Sequence, residues 1–211
     1  MGETLKIAVL GSTGQTGRLI VAHALERGHE VTALARRPES FDTSATGNLR
    51  VVHADVTRPE SVATAVAGAD VIISGLGITK KQDPAVLSDG ARLIASAESR
   101  VVWLTSLGMG ATEGALGRLN GALLKRILRH EWAAKDVAGR VVRAAHGTTV
   151  YAGPLTDKPY AGNGRLIRAE DYVPRMMPPL TPRAGIAALM VAEAEAPHFA
   201  DTDTVALFNG R

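Results

Sequence analysis

Residues 7–17 read IAVLGSTGQTG, and this stretch decides how the rest of the chain folds. The apolar run Ile7 to Leu10 is short and reads as a strand buried on both faces. Gly11, Gly14 and Gly17 follow at three-residue spacing, and Leu19, Ile20, Ala24 and Leu25 then carry a helical period. A buried strand, a glycine turn and a helix N-terminus together make an anion site. The glycines let backbone approach a pyrophosphate, while the first helical turn aims free N–H groups and a positive dipole end at it. The spacing is G-x-x-G-x-x-G rather than the standard G-x-G-x-x-G, so a purely structural turn stays open on these residues alone.

Outward from this turn, strands and helices alternate. Gly28 ends the first helix, Val31 to Ala35 reads as strand two and Leu49 to His53 as strand three. Pro59 opens a helix with Val62, Ala65 and Val66 inward, and Asp70 to Ser74 is strand four. Pro84 to Ser99 reads as a helix and Val101 to Thr105 as strand five. A glycine-rich segment from Gly108 to Gly117 reads as a mobile loop, followed by helix from Leu119 to Ala145 with a break expected near Gly139. Thr148 to Ala152 is strand six, and the span 153–179, with five prolines, is a long loop holding one short strand at Arg165 to Arg168. Pro182 to Glu195 is a helix with Ile186, Leu189 and Met190 inward, and Thr204 to Phe208 is a closing strand. This alternation predicts an α/β fold: a doubly wound parallel sheet with right-handed crossovers, in a single domain over residues 1–211. The loops at 108–118 and 153–179 are the expected substrate walls.

Composition narrows the function. At 211 residues and 45% hydrophobic, the chain suits one full core rather than two. It contains no cysteine, which excludes disulfides, thiolate metal sites and a cysteine nucleophile. The histidines are scattered without ligand spacing, and Ala134 stands where a second zincin histidine would follow His130-Glu131, so no metal site is expected. No apolar run reaches the roughly 20 residues of a membrane span and no signal-peptide core opens the chain, so a cytoplasmic protein without membrane attachment is expected. The net charge of +3 is explained as well by a phosphate-bearing small ligand as by nucleic acid, and 4% aromatics are too few for a base-stacking platform.

In a doubly wound sheet the ligand lies beyond the C-terminal strand ends. A site selective for NAD usually places a carboxylate about 20 residues past the glycines, at the end of strand two. Here that end reads Leu34-Ala35-Arg36-Arg37, and Glu30 lies at the other end of the strand. Two guanidiniums there pair with a 2′-phosphate, or else form a solvated basic turn; the first alternative favours NADP(H). Asp55-Val56 after strand three either frames an adenine or caps a turn, and Gly75-Leu76-Gly77 after strand four lets backbone pass beside ribose and pyrophosphate. Lys80 and Lys81 either touch phosphate or are only solvated.

GSTGQTG, the ARR turn, HADV, SGLG, LSDGARLIASA, VVWLTS and TTVYAGPLTD occur in an order that resembles the atypical short-chain dehydrogenase/reductases. The resemblance is to the NAD(P)-binding proteins similar to flavin reductase and biliverdin IXβ reductase, related to the NmrA-like regulators. It spans nearly the whole chain and is strongest through Ser106. It implies a Rossmann fold in which Gly11, Thr13, Gly14, Gln15 and Thr16 cradle pyrophosphate and Arg36, with Arg37 beside it, meets the 2′-phosphate. It further implies that Asp55 and Val56 hold adenine and that Gly75, Leu76 and Gly77 line the ribose. Thr105, Ser106, Ala152, Gly153, Pro154 and Leu155 would flank the nicotinamide.

Ordinary short-chain dehydrogenases use a Tyr-x-x-x-Lys pair to protonate a nascent alkoxide. None of the three tyrosines here has a lysine four residues later. The catalytic candidates are therefore Ser106 at the end of strand five, Lys135 on the following helical segment, and Tyr151 as an alternative proton donor or else a packed core aromatic. Pro154 stands where the biliverdin and flavin reductase branch carries a histidine, which sets biliverdin itself apart as a substrate. Met109, Trp132, Tyr160, Tyr172, Met176 and Met177 are apolar candidates to face a flat substrate. Three functions compete: an NADPH-dependent reductase of a flavin, quinone or other aromatic carbonyl compound, an NADP(H) sensor that regulates a partner, and a non-redox isomerase, dehydratase or cyclase. The first takes a small aromatic molecule as its partner and works as a monomer or homodimer.

Overall fold

The computed structural model describes residues 3–41, 47–79, 81–160, 162–174 and 178–208. Lys80, Met176 and Met177 lie outside the described residues. The strands are β1 (Lys6–Leu10), β2 (Glu30–Ala35), β3 (Leu49–His53), β4 (Val71–Ser74), β5 (Arg100–Ser106), β6 (Thr148–Ala152), β7 (Leu155–Thr156), β8 (Gly164–Arg168), β9 (Thr181–Pro182) and β10 (Asp203–Phe208). The helices are α1 (Gln15–Glu26), α2 (Pro59–Val66), α3 (Ala85–Ala95), α4 (Gly117–Ile127), α5 (Trp132–Ala144) and α6 (Arg183–Glu195). One eight-stranded sheet runs β3-β2-β1-β4-β5-β6-β10-β8, parallel throughout except for β8, which returns antiparallel to β10. The order reverses at β1, where β2 lies on one side and β4 on the other. That reversal opens a crevice above the C-terminal end of β1, and the arrangement is the Rossmann fold.

The central strands are apolar on both faces because helices cover both. Ile7, Val9 and Ile73 pack with α1 and α6 through Ile20, Val21, Ile186 and Met190. Ala8, Leu10 and Ile72 face the other way, onto α2, α3 and α5 through Val62, Ala91, Ile94 and Val142. A third cluster holds Leu107, Leu116, Tyr151, Tyr172, Val205 and Leu207 under the segment that follows β5.

Three expectations change. The helix after residue 117 breaks at Leu128–Glu131, not at Gly139, which is buried inside α5. A Cβ at Gly139 would meet only the Tyr151 hydroxyl, at an ordinary contact distance of 3.8 Å, and the helix runs through this position unbroken. The glycines of segment 108–117 do not mark an open substrate wall. They take left-handed backbone, Gly110 at φ +50° among them, and fold the segment over Tyr151. Thr112 fastens it, accepting hydrogen bonds at Oγ1 from the Gly108 and Met109 amides at 2.8 and 3.2 Å. Finally, α3 stops at Ala95 rather than Ser99. No helix among the described residues is long and apolar enough to cross a membrane.

Candidate active site

A cleft of about 680 Å³ lies along the C-terminal ends of the parallel strands. Its floor is the glycine turn. Gly11 sits at φ +76°, and a Cβ there would stand 2.8 Å from the backbone of Leu76, so this position is closed to side chains by both conformation and space. The Gly14 amide donates to the Gly11 carbonyl at 3.0 Å, and Ser12 Oγ donates to the Leu34 carbonyl at 2.6 Å, pinning the turn to the end of β2. Gly14 is extended and begins α1 without a side-chain cap, and the first turn of α1 carries no acid. The amides at that helix end, with the positive dipole end, therefore meet the cleft without competition from a side chain of the cap. A Cβ on Gly14 would touch only the Gly11 oxygen, at 3.3 Å, whereas one on Gly17 would run into that oxygen outright. Gly17 serves the turn, and Gly14 keeps the cleft floor open.

At one end of the cleft lie Leu34, Arg36, Ala54, Asp55, Val56 and Thr57. Asp55 Oδ1 accepts from the Thr57 amide and hydroxyl, both at 2.9 Å. Those bonds, chiefly the amide, with the Arg36 charge nearby, outweigh partial burial and hold the Asp55 carboxyl below its usual range. Asp55 thus caps its own turn while facing the cleft.

At the other end, β5 and β6 run in register as far as Ser106 beside Ala152. Ser106 leaves the strand facing the cleft, and Lys135 reaches across from α5 to donate from Nζ to Ser106 Oγ at 2.9 Å. Glu131, one helical turn earlier, lies 3.3 Å from the same ammonium, and both side chains are about one-fifth exposed. Thr105, Ala152, Gly153 and Leu155 complete this wall. Arg183, at the start of α6, also lines it and is held by Asp157 at 2.7 Å. Thr79 and Gln82 form the facing lip, where the Thr79 amide donates to Gln82 Oε1 at 2.8 Å.

The model of the family described as NAD(P)H-binding matches residues 11–197, which include the glycine turn, Ser106, Lys135 and most of α6. The chain belongs to that family. Among solved structures, the oxidoreductase ylbE of Lactococcus lactis superposes with a TM-score of 0.80 at 20% identity, covering 97% of this chain and 91% of that one. ChuY of Escherichia coli O157:H7, described as an anaerobillin reductase, gives 0.79 at 21% identity and 98% of both chains. Both likenesses concern the fold. The uncharacterized protein Rv2047c of Mycobacterium tuberculosis is 34% identical over 107 residues, 48% of this chain, and the match spans only 12% of its own length.

The cleft suits the nicotinamide dinucleotide that this family binds. Its floor has space where a Gly14 side chain would intrude, an uncapped helix end faces it, and polar groups stand at both ends. Among the residues expected there, Gly11, Thr13, Gly14, Gln15, Thr16, Arg36, Asp55, Val56, Gly75, Leu76, Gly77, Thr105, Ser106, Lys135, Ala152, Gly153 and Leu155 line the one cleft.

Other expected residues lie elsewhere. Arg37 and Pro154 are not among the lining residues. Pro154 turns its carbonyl to the Thr181 amide at 2.9 Å, joining the β7–β9 pair. Tyr151, expected as an alternative proton donor, does not line the cleft. Successive strand side chains point to opposite faces, and while Ala152 packs with α6, Tyr151 goes into the cluster beneath segment 108–117. There its hydroxyl accepts from the Ala111 amide at 3.2 Å, and burial, with the Asp203 charge, pushes its pKa up to about 12. It is a core aromatic. Met109 and Tyr172 are buried away from the cleft, Trp132 lies under the Lys125 ammonium, and Tyr160 packs edge-on against Phe208. The apolar lining comes instead from Leu76, Ile78, Val86, Leu87 and Leu155. Sequence reading also missed Arg183 and Glu131. The Glu131-x-x-x-Lys135 spacing was visible, whereas nothing local marks Arg183 as facing the cleft.

Proposed function

We propose that the chain is a cytoplasmic NADPH-dependent reductase of a small flat aromatic acceptor: a flavin, a quinone or another aromatic carbonyl compound. The observation that carries this reading is the Lys135–Ser106 hydrogen bond, set at the end of the cleft away from Arg36. Bound NADPH supplies a hydride. The chain's own residues do the rest. Arg36, which follows β2 where an NAD-selective site usually carries an acid, is suited to a 2′-phosphate. Gly14 and the α1 amides receive the pyrophosphate. Ser106 Oγ accepts from Lys135, which leaves the serine hydrogen for an acceptor oxygen on which negative charge builds. The aliphatic lining excludes water from a planar acceptor. That the family is NAD(P)H-binding supports a redox reading.

The test is NADPH absorbance followed against a panel of flavins and quinones, in wild type and Ser106→Ala. The expected outcome is turnover of at least one acceptor, lowered about a hundredfold by Ser106→Ala, with NADPH affinity by calorimetry unchanged. A wild-type rate in that variant would reduce the serine to a turn residue. Tight NADPH binding with no acceptor reduced would favour a sensor.

A further inference from the structure

Lys135 has a carboxylate partner one helical turn before it. Glu131 precedes Lys135 by four residues, so Glu131-x-x-x-Lys135 repeats the Tyr-x-x-x-Lys spacing with a carboxylate in place of the phenol. The structure puts this pair to use. Lys135 Nζ stands between two oxygens, 2.9 Å from Ser106 Oγ and 3.3 Å from Glu131 Oε2. We propose that Glu131 is a positioning residue in a Ser106–Lys135–Glu131 proton relay that does the work of the absent tyrosine.

The direction of the hydrogen bonds carries the argument. An ammonium has three donors and no acceptor. One donor goes to Ser106, Glu131 stands at ion-pair distance, 3.3 Å, and donor capacity is left for ribose, water or substrate. Because Ser106 Oγ accepts from lysine, its own hydrogen is free to be donated into the cleft. Glu131 does not line the cleft and so does not meet the acceptor. Its carboxylate reaches Lys135, where it fixes a flexible four-carbon side chain. His130, the preceding residue, lies with Nε2 3.4 Å from the Gln82 carbonyl, which ties the turn carrying Glu131 to the facing lip of the cleft.

The inference rests on the reductase reading, and the step balances as follows. The acceptor gains the hydride pair that NADPH gives up, and its oxygen becomes anionic. That oxygen takes the Ser106 proton, Ser106 recovers one from the Lys135 ammonium, and the neutral amine is reprotonated by water. One hydride and one proton enter the product, and NADP⁺ leaves.

Two measurements test it together. The first is kcat and KM for an active acceptor in Glu131→Gln, Glu131→Asp and the double variant Glu131→Gln/Ser106→Ala. Expected are a kcat roughly tenfold lower in Glu131→Gln with NADPH KM unchanged, partial recovery in Glu131→Asp, and no further loss in the double variant beyond Ser106→Ala alone. Wild-type kcat in Glu131→Gln, or losses that simply multiply, would overturn the relay. The second is the Lys135 ammonium resonance of the ¹⁵N-lysine-labelled, cofactor-free chain, assigned by its absence in Lys135→Arg. It is expected to be resolved in the wild type and to broaden in both Glu131→Gln and Ser106→Ala. A resonance indifferent to Glu131→Gln would overturn the proposal whatever the turnover. A wild type that reduces no acceptor, with a resonance that responds to both changes, would overturn the reductase reading and uphold the positioning of Lys135.

Discussion

Arg36 and Arg37 follow β2 in succession, and Arg36 is the one that lines the cleft. Arg36 lines the cleft near enough to Asp55 for its charge to help keep that carboxyl ionised, while Arg37 is not among the lining residues. In the proposed NADPH reading, Arg36 is the residue that meets the 2′-phosphate. Arg36→Ala is expected to weaken NADPH by about 1.5–3 kcal/mol, the range of a hydrogen bond to a charged group. NADH, which lacks that phosphate, should be little changed, and Arg37→Ala should leave both cofactors alone. Calorimetric titration of each variant with each cofactor checks this; equal losses for the two cofactors would move the phosphate away from Arg36. The residue scale is also where local reading is weakest. The tripeptide Ala35-Arg36-Arg37 offers two cations, and the tertiary structure puts Arg36 among the residues lining the cleft.

At the scale of one element, the turn from β1 into α1 separates two kinds of glycine. Gly17 lies where the first turn of α1 packs on the Gly11 carbonyl, and any Cβ there displaces backbone. Gly14 has a single contact at the edge of ordinary packing and otherwise borders the cleft. Gly17→Ala is thus expected to lower stability by about 2 kcal/mol or more, since overpacking against backbone has no side chain to yield. Gly14→Ala should unfold at nearly the wild-type midpoint yet bind NADPH at least roughly tenfold more weakly, because its methyl occupies the pyrophosphate's approach. Urea midpoints and calorimetric affinities, measured on both variants, distinguish the two effects; unchanged affinity in Gly14→Ala would make the turn purely structural. This element was legible in sequence because strand, turn and helix all depend on residues close in the chain. The break between α4 and α5 was not, because Gly139 looks like a breaker although it lies buried inside α5.

Across the whole molecule, the end of the sheet opposite the cleft is closed by a polar staple. Glu195, at the end of α6, is bound by Arg27 and by His29 Nε2 at 2.9 Å, and His29 Nδ1 accepts from the Leu5 amide at 3.3 Å. The α1–β2 connection, the lead into β1 and the last turn of α6 meet there. Burial opposes the charge on Glu195, but the hydrogen bonds from Arg27 and His29 prevail and hold its pKa below the ordinary 4.5. A lowered folded-state pKa contributes stability that is present above the unfolded value and is lost as pH falls through the folded one. Glu193 and Asp203, whose pKa values burial raises, act in the opposite sense. The staple therefore shows in the difference between wild type and Glu195→Ala. That variant should be less stable by about 2 kcal/mol at pH 7, with the difference shrinking below pH 4.5, and its NADPH affinity should be unchanged. Urea denaturation from pH 3 to 7 checks this; a difference that does not depend on pH would assign the loss to packing.

The sequence by itself determined the order and type of nearly every element, the glycine turn between β1 and α1 and the absence of an acid directly after β2. Periodicity, turn chemistry and strand-end composition are local properties, written in runs of a few residues. What only the tertiary structure decided is which side chains converge. Ser106 and Lys135 are 29 residues apart and meet because α5 packs across the end of β5. Tyr151, one residue before the cleft wall at Ala152, is excluded because strand alternation turns it to the other face. Arg183 enters because α6 begins beside the turn after β6. Convergence depends on how helices cross the sheet, and that geometry follows from the burial of all the apolar faces at once, not from any one stretch of chain.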